Sequence, residues 1–358
     1  MKMDSKTNSF FKEDTCVLLF GGAGYEREVS VSGAYSFLKT AESVGADFLP
    51  IFIDANGDFY IFRGKADDVL KINRISTRKK LIPTSPVRIS GKSGFWVDGE
   101  IFSPKLVFPL LHGDFGEDGI IQGLLSAFDI NFVGADTFTG AISSDKVYSK
   151  IIARSVEVPT LPEIVVTKGE KTDEIISGID KSFGFPVFVK PARLGSSIGA
   201  SVAKSKQQFS KSLKKAFSVS QRVMIEPALL EKRELECAYY NVGGRKIITP
   251  PAEVSANGKF YDFDLKYKRS DSVSLVPIAD VSDDVKNIII DYTDRLANAI
   301  SARHIARFDF FLLPDGSVYF NEVNTMPGMT SSSLYSAMLR GAGMEFSDFI
   351  LSIRDNSD

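Results

Sequence analysis

An apolar strand, a glycine-rich loop and an amphipathic helix follow one another twice in the first part of this chain, and this order restricts the fold more than any other feature. TCVLLF (15–20) precedes GGAGYEREVS and a helical pattern over roughly 29–44, with Ser30 as the predicted cap. KLVFPLL (105–111) precedes HGDFGEDG and the helical IIQGLLSAF. Such units build a parallel, doubly wound sheet whose sites lie at the carboxyl ends of strands. Residues 1–140 are therefore predicted to form an N-terminal α/β domain.

The rest of the chain is long enough for two further units. The 358 residues exceed what one hydrophobic core ordinarily holds. Mixed strand and helix patterns predict a central domain over residues 141–225 and a C-terminal domain over residues 226–358. The polar and aromatic connection over residues 255–277 is unusually long, and connections of this length are either lids over a site or long hairpin loops. The residues alone leave both interpretations open.

Charge and cysteine content exclude several classes of protein. There are 43 Lys and Arg residues against 45 Asp and Glu residues, so the chain has no overall basic field for binding nucleic acid, and any anion site must be local. No apolar run approaches the roughly 18–20 residues of a membrane span, and the N-terminus lacks the apolar stretch of a secretory signal. With only two cysteines, Cys16 and Cys237, the composition predicts a cytoplasmic protein that binds no membrane.

The segment RFDFFLLPDGSVYFNEVN is predicted to be a β-hairpin that carries acidic side chains inside two otherwise apolar strands. If its Asp-Gly dipeptide forms a two-residue turn, Asp309 lies opposite Glu322 and Arg307 lies opposite Asn324, with all four side chains on one face. Opposed carboxylates repel each other unless a positive charge compensates them. Two acids and an Asn suit Mg²⁺. A solvated acidic pair with Arg307 as its counter-ion, or an Arg307 that binds phosphate, also fits the hairpin.

Other polar motifs allow two interpretations each. In VKPARLGSSIGAS (189–201), Lys190 ends a strand before a turn whose backbone N–H groups can cradle a phosphate. The spacing of a Walker loop is missing, so a purely structural turn stays open. Glu226 and Glu234 are either acceptors for a nucleotide base and ribose or solvated acids. His112 follows a strand and is predicted to orient neighbouring groups rather than to transfer a proton.

In this order, these segments resemble those of the ATP-grasp ligases, and closely those of the D-alanine–D-alanine ligase family. The resemblance spans residues 16 to about 350. It rests on LFGGAGYEREVSVSG, FPLLHGDFGEDGIIQG, GADTFTGAISSDK, FPVFVKPARLGSSIG, FYDFDLKY, ARFDFFL and NEVNTMPGMTSSSLY. It implies an α/β fold in which a Rossmann-like parallel sheet precedes two α+β domains that enclose ATP, with residues 255–277 as a lid.

The resemblance also implies roles for individual residues. The implied metal ligands, which would hold two Mg²⁺ ions with Mn²⁺ as a substitute, are Asp309, Glu322 and Asn324. The implied ATP contacts are Lys146, Lys190, Ser197, Glu226 and Glu234. The implied catalytic residues are Glu26, Ser196, Tyr267, Arg307, Gly328 and Ser333. The implied substrate contacts are His112, Lys266 and Leu334.

The reaction that the resemblance implies is the ATP-dependent ligation of two D-alanine molecules through a D-alanyl phosphate, for peptidoglycan precursor synthesis. Glu26, Ser196 and Tyr267 match a hydrogen-bonded trio at the first D-alanine. Arg307 and the N–H of Gly328 match the groups that stabilise the tetrahedral oxyanion. The family commonly forms homodimers, which implies a homodimer here.

Alternative functions stay open at this point. A ligase of the same fold that makes D-Ala-D-Ser is one, and a D-Ala-D-lactate ligase is another, although ester-forming relatives usually carry His where this chain has Tyr267. A non-catalytic ATP-binding relative would have lost a metal ligand or a phosphate lysine, and neither is missing. A Rossmann-type binding domain fused to an unrelated module is disfavoured because GGAGYE lacks the GxGxxG spacing.

Overall fold

The structure is a computed structural model that describes residues 14–255 and 274–356. The strands of its N-terminal sheet are β1 (Cys16–Gly21), β2 (Phe48–Ile53), β3 (Phe59–Phe62), β4 (Leu81–Ile89), β5 (Lys92–Val97), β6 (Glu100–Phe102) and β7 (Leu106–Leu110). They follow the order β6-β5-β4-β3-β2-β1-β7. β1 runs parallel to both β2 and β7, as predicted. β3 to β6 extend the sheet in antiparallel pairs.

Helices cover this sheet, and the first helix begins earlier than its predicted N-cap residue. They are α1 (Arg27–Ser43), α2 (Ala66–Val69), a 3₁₀ helix (Ile75–Lys80) and α3 (Ile120–Ala127). Ser30 was predicted to cap the first helix, but this is wrong, because α1 begins three residues earlier. The buried hydroxyl of Ser30 instead donates to the carbonyl of Leu110 at 2.5 Å and accepts from the N–H of Gly21 at 2.8 Å. Ser30 therefore ties α1 to the ends of two parallel strands.

An antiparallel sheet with helices on one face follows in the chain. Its elements are α4 (Thr137–Ser144), α5 (Lys146–Ser155), β8 (Ile164–Thr167), α6 (Thr172–Ser182), β9 (Val187–Pro191), β10 (Ser201–Ala203), α7 (Lys206–Phe217) and β11 (Arg222–Pro227). The strand order is β10-β9-β11-β8. Ile179 of α6 and Phe209 of α7 are fully buried in one core with Val189. The helices thus cover one face and leave the other face to a cleft.

A third sheet forms the opposite wall of that cleft. The remaining elements are β12 (Arg233–Val242), β13 (Arg245–Ile248), β14 (Ala252–Ser255), β15 (Ser274–Val276), α8 (Asp283–Ala299), β16 (His304–Leu312), β17 (Val318–Asn324), α9 (Leu334–Gly341) and α10 (Phe346–Asp355). The strand order is β15-β14-β12-β16-β17, with β13 beside β12.

The last helix returns to the N-terminal sheet. Phe346 of α10 packs edge-on against Phe37 of α1, with ring centres 6.4 Å apart, and Phe349 packs against Phe108 of β7 at 6.2 Å. Aromatic pairs of this kind stabilise packing by about 0.5–1.5 kcal/mol beyond the area that they bury. Within residues 14–255 and 274–356, no helix has both the length and the apolar character that crossing a membrane requires.

The acidic hairpin has the predicted register at its site but not the predicted turn. The loop contains three residues, 314–316, because the N–H of Leu313 bonds to the carbonyl of Ser317 at 2.9 Å. The glycine of this loop has a φ of 86°, as three-residue hairpin loops require. A β-bulge beyond the turn then adds Asn321 to β17 and shifts the pairing by one residue. The two deviations cancel, so Asp309 still pairs with Glu322.

Candidate active site

A cleft of about 390 Å³ lies between the sheet that contains β9 and the sheet that contains β16. A pocket of several hundred Å³ with converging polar groups is the usual form of a small-molecule site. The residues predicted from the sequence that line it are Lys146, Lys190, Ser196, Ser197, Glu226, Glu234, Asp309 and Glu322. The structure therefore brings predicted phosphate, nucleotide and metal contacts to one cleft.

The acidic face of the hairpin is compensated by cationic side chains. Arg307 donates to both oxygens of Asp309, from Nε to Oδ1 and from Nη2 to Oδ2, each at 2.8 Å. Lys146 Nζ lies 3.2 Å from Oε2 of Glu322. Asn324 also donates to Asp309, from Nδ2 to Oδ2 at 3.1 Å. The positive charge expected between the opposed acids thus comes, in this structure, from an Arg and a Lys.

The donor set on this face fits a hard divalent cation. Asp309 and Glu322 offer carboxylate oxygens. Asn324 offers an amide oxygen after rotation of its side-chain amide, which carries an oxygen and an NH2 group at equivalent positions. The part of the chain that the structure describes has no group of three or more His, Cys, Asp or Glu side chains arranged to hold a metal. Two acids and one amide leave coordination positions for water and phosphate oxygens, which Mg²⁺ favours beside nucleotides.

Buried lysines converge on the opposite side of the cleft. Lys146, Lys150 and Lys190 are 8%, 0% and 6% exposed. Lys190 Nζ lies 2.6 Å from Oε2 of Glu226, and Lys150 contacts the other oxygen of the same carboxylate. Burial, followed by the charges of Lys150 and Lys146, holds the pKa of Lys190 well below its usual value. A bound anion would offset the repulsion among these ammonium groups, so the cluster favours phosphate.

The glycine- and serine-rich turn after β9 has an unusual backbone. Ser196 and Ser197 have φ values of 49° and 58°. This left-handed region costs a non-glycine residue about 1–3 kcal/mol, and such residues cluster at ligand sites. The hydroxyl of Ser196 donates to the carboxylate of Glu26, a side chain that is only 8% exposed. Two members of the predicted trio therefore meet, while the third, Tyr267, lies outside the described residues.

His112 and Glu117 hold the loop after β17 against the N-terminal sheet. His112 Nδ1 lies 3.0 Å from the carbonyl of Met326, and Glu117 accepts from the N–H groups of Gly113 at 3.0 Å and Met326 at 3.3 Å. Burial lowers the pKa of His112 to about 4, so its ring is neutral and donates through Nδ1–H. Its buried Nε2 makes no hydrogen bond within residues 14–255 and 274–356, which leaves a lone pair for a ligand. This geometry supports the predicted orienting role.

Glu117 makes the stability of the fold depend on pH. Burial, followed by the charge of Glu26, raises the pKa of Glu117 from 4.5 to about 8. Because the folded state binds the proton of the Glu117 carboxyl more tightly than the unfolded state does, protonation of Glu117 stabilises the fold. This stabilisation is fully present below the pKa of Glu117 in the unfolded chain and is lost as the pH rises through its pKa in the folded protein. We expect Glu117→Gln to flatten the fall in the free energy of unfolding between about pH 5 and 8, measured by urea denaturation. The control is Asp118→Asn, and an unchanged slope in Glu117→Gln would contradict this.

Residues assigned to the second amino acid by the resemblance lie at the start of α9. Ser333 caps this helix, because its hydroxyl oxygen accepts from the N–H of Ser336 at 3.5 Å. The adjacent Leu334 is 7% exposed. A Cβ added to Gly328 would lie 3.8 Å from the Cβ of Ser333, so the predicted oxyanion donor is close to this pocket. Lys266, the other predicted residue of the pocket, lies outside the described residues.

The predicted base and ribose contacts lie on the remaining walls of the cleft. Glu234 Oε1 is 3.0 Å from Lys232 Nζ, which lies 4.0 Å from the ring centre of Phe311. Both oxygens of Glu226 contact lysines, so its role as an adenine acceptor stays a prediction. Most of the predicted lid, 255–277, also lies outside the described residues.

Some polar side chains of this cleft were missed by the sequence analysis. Lys150 lies four residues after a predicted phosphate lysine on α5, and this helical spacing was a usable signal. Glu236 follows Glu234 by two residues on β12, and strand periodicity places both on one face. Asn321 accepts from Lys190 at 3.2 Å, but only the β-bulge turns it toward the cleft, and no sequence pattern indicated a bulge.

Comparisons with known proteins show the family to which the chain belongs. The family model described as D-ala D-ala ligase N-terminus matches residues 15–135, and the model described as D-ala D-ala ligase C-terminus matches residues 152–354. A D-alanine–D-alanine ligase of Caldicellulosiruptor bescii is 34% identical over 343 residues, which cover 93% of this chain and 92% of that protein. A D-alanine–D-alanine ligase of Lactococcus lactis is 33% identical, and the aligned region covers 96% of this chain and 95% of that protein.

Solved structures of similar fold extend over nearly the whole chain. The VanG D-Ala:D-Ser ligase of Enterococcus faecalis superposes with a TM-score of 0.85 at 27% identity, covering 96% of this chain and 98% of that one. The D-alanine-D-alanine ligase of Coxiella burnetii superposes with a TM-score of 0.83 at 25% identity, covering 96% and 93%. These similarities confirm the predicted fold class, while the exact domain boundaries stay predictions.

Proposed function

This chain belongs to the D-alanine–D-alanine ligase family, and on that premise we propose that it uses ATP to join two D-alanine molecules into D-alanyl-D-alanine for peptidoglycan precursor synthesis. The observation that carries this proposal is a single cleft in which buried lysines face Asp309 and Glu322 of one hairpin, with Asn324 bonded to Asp309. The first D-alanine carboxylate attacks the γ-phosphorus and releases ADP. The second amine attacks the resulting acyl phosphate, loses a proton and releases phosphate.

Side chains of this chain place the phosphates for the first step. The ammonium groups of Lys146 and Lys190 spread the negative charge of the transferred phosphoryl group, as cations do in other phosphoryl-transferring enzymes. Asp309, Glu322 and Asn324 would hold Mg²⁺, or Mn²⁺ in its place, which supplies charge neutralisation at the phosphate oxygens. The buried contacts of Lys146 and Lys190 keep their ammonium groups beside the cleft before the nucleotide binds.

Different groups serve the attack of the second amine. Arg307 and the N–H of Gly328 are assigned to the oxyanion that develops on the carbonyl, where one fixed donor typically contributes about 2.7–4 kcal/mol. Glu26, held by Ser196, is assigned to the ammonium group of the first D-alanine. Closure of the predicted lid, 255–277, would keep water from the acyl phosphate.

D-serine is the second candidate for the acceptor amino acid. The structural neighbour from Enterococcus faecalis is a D-Ala:D-Ser ligase, which makes D-serine the alternative acceptor. The curated relatives named above are D-alanine–D-alanine ligases, and the Leu334-Tyr335 pair resembles the alanine type, so D-alanine is our choice. Both side chains are buried beside the predicted pocket.

Formation of ADP by the purified protein tests the proposed function. With MgATP and D-alanine, we expect ADP and D-alanyl-D-alanine in equal amounts, and with MgATP alone we expect almost no ADP, because an acceptor for the phosphoryl group is missing. Adding D-serine or D-lactate at equal concentration to D-alanine identifies the preferred acceptor by mass spectrometry. Mixed dipeptide or ester as the main product would reject the D-alanine assignment, and ADP release that ignores amino acids would reject the ligase.

Location and assembly complete the proposal. A cytoplasmic location is supported by the thiols of Cys16 and Cys237, which are both free and buried, as expected where disulfides do not form. A homodimer rests on the family resemblance alone, and sedimentation of the purified protein would test it.

A further inference from the structure

Three carboxylates lie in a row across neighbouring strands at the floor of the cleft. In the strand register, Glu236 of β12 pairs with Asp309 of β16, which in turn pairs with Glu322 of β17. Their side chains are 11%, 13% and 22% exposed. The last two are predicted metal ligands. Glu236 has no assigned role, although it is as buried as its neighbour.

Arg307 connects the first two acids of this row. Its Nε lies 2.9 Å from Oε2 of Glu236, while Nε and Nη2 donate to the two oxygens of Asp309. An arginine guanidinium stays protonated in proteins. The guanidinium is therefore a permanent cation shared between two carboxylates.

A metal ion and Arg307 compete for the same carboxylate. Both oxygens of Asp309 are hydrogen-bonded to the guanidinium, so a cation that binds Asp309 must take at least one of them. A buried guanidinium that loses its carboxylate partner is strongly destabilised unless a second partner remains. Glu236 lies on β12, whereas Glu322 and Asn324 of the hairpin lie on β17, and these two strands flank β16. Glu236 can therefore keep Arg307 in place during the exchange.

We propose that Glu236 is a positioning residue that retains Arg307 at the reaction centre when Asp309 binds a divalent metal. The inference rests on the proposed function for the ligand set and the reaction. Without the Glu236 carboxylate, Arg307 depends more strongly on its ion pair with Asp309, so it withholds that ligand from the metal. When metal does bind, the guanidinium is left without a fixed orientation toward the carbonyl oxygen.

Binding of Mn²⁺ to the full-length protein tests this proposal directly. Free Mn²⁺ is measured by electron paramagnetic resonance in the presence of ADP, which gives a binding readout independent of turnover. We expect Glu236→Gln to bind Mn²⁺ about tenfold more weakly than the wild type, as is typical when a partner of a metal ligand is changed. Glu236→Asp, which keeps the charge, should recover part of this affinity.

A matched control and a double variant identify the mechanism. Glu163→Gln removes a similarly buried acid, 10% exposed and paired with Arg154 at 2.8 Å, and should bind Mn²⁺ like the wild type. In an Arg307→Gln background, Glu236→Gln should cause no further loss, because the competing guanidinium is gone. A tenfold loss in that background would mean that Glu236 attracts the metal by its own charge, and would overturn the proposal.

Two further results separate this inference from the proposed function. Wild-type affinity for Mn²⁺ in Glu236→Gln, with circular dichroism showing a folded protein, would also overturn the inference. Failure of the wild type to form any dipeptide would reject the proposed function, but the comparison of Mn²⁺ affinities would still stand. The two ideas therefore fail on different measurements.

Discussion

Glu322→Gln should lower the rate of ADP formation by roughly two to three orders of magnitude at saturating MgATP and D-alanine. A metal clamp on a transferring phosphoryl group supplies several kcal/mol, and about 1.4 kcal/mol corresponds to a tenfold change in rate. The substitution keeps the shape of the side chain but removes the charge that Lys146 Nζ faces at 3.2 Å. ADP and dipeptide should fall together, because the change acts on the first chemical step.

The same hairpin offers a control for this variant. Asp315→Asn removes one negative charge from an exposed turn, where the carboxylate accepts from the N–H of Ser317 at 2.9 Å, and Asn is well tolerated in such turns. Its rate of ADP formation should match that of the wild type. Turnover of Glu322→Gln at the wild-type rate would show that this carboxylate binds no catalytic metal, and would remove the main support for the phosphoryl-transfer site.

The hairpin shows how far local rules predict a site and where they stop. Alternation of side chains predicted that Asp309 and Glu322 share a face, but their pairing matches the prediction only because two deviations cancel. The turn was predicted with one residue too few, and Asn321 restored the register through a bulge. Turn type and bulge position depend on how the finished sheet twists and packs, which short sequence windows do not contain.

Other misses have the same origin in tertiary contacts. Serine is a common N-cap residue, yet the hydroxyl of Ser30 bridges two strand ends that are distant in sequence. The strands β4 and β5 were not predicted, and they form because β4 pairs with β3 and β5 pairs with β4, so pairing within the finished sheet overrides weak local propensity. Glu236 could have been found, since it shares a strand face with a predicted ribose contact.

Arg307→Lys should separate the two chemical steps. Lysine keeps the positive charge between Glu236 and Asp309 but cannot form the paired hydrogen bonds that the guanidinium makes. If Arg307 stabilises the tetrahedral oxyanion, its loss costs about 2.7–4 kcal/mol in that step alone. We expect dipeptide formation to fall at least about a hundredfold, while ADP formation falls less, since the acyl phosphate still forms and is lost to water.

The ratio of ADP to dipeptide is therefore the decisive measurement, determined by coupled spectroscopy and by mass spectrometry on the same samples. Arg354→Lys is the matched control, because Arg354 also makes paired hydrogen bonds, to Asp355 on the terminal helix, far along the chain from the hairpin. The control should keep a ratio of one. A ratio of one in Arg307→Lys as well, with both products reduced equally, would place Arg307 at the phosphates instead of at the carbonyl. Arg307 and Glu322 would then both act on the first chemical step.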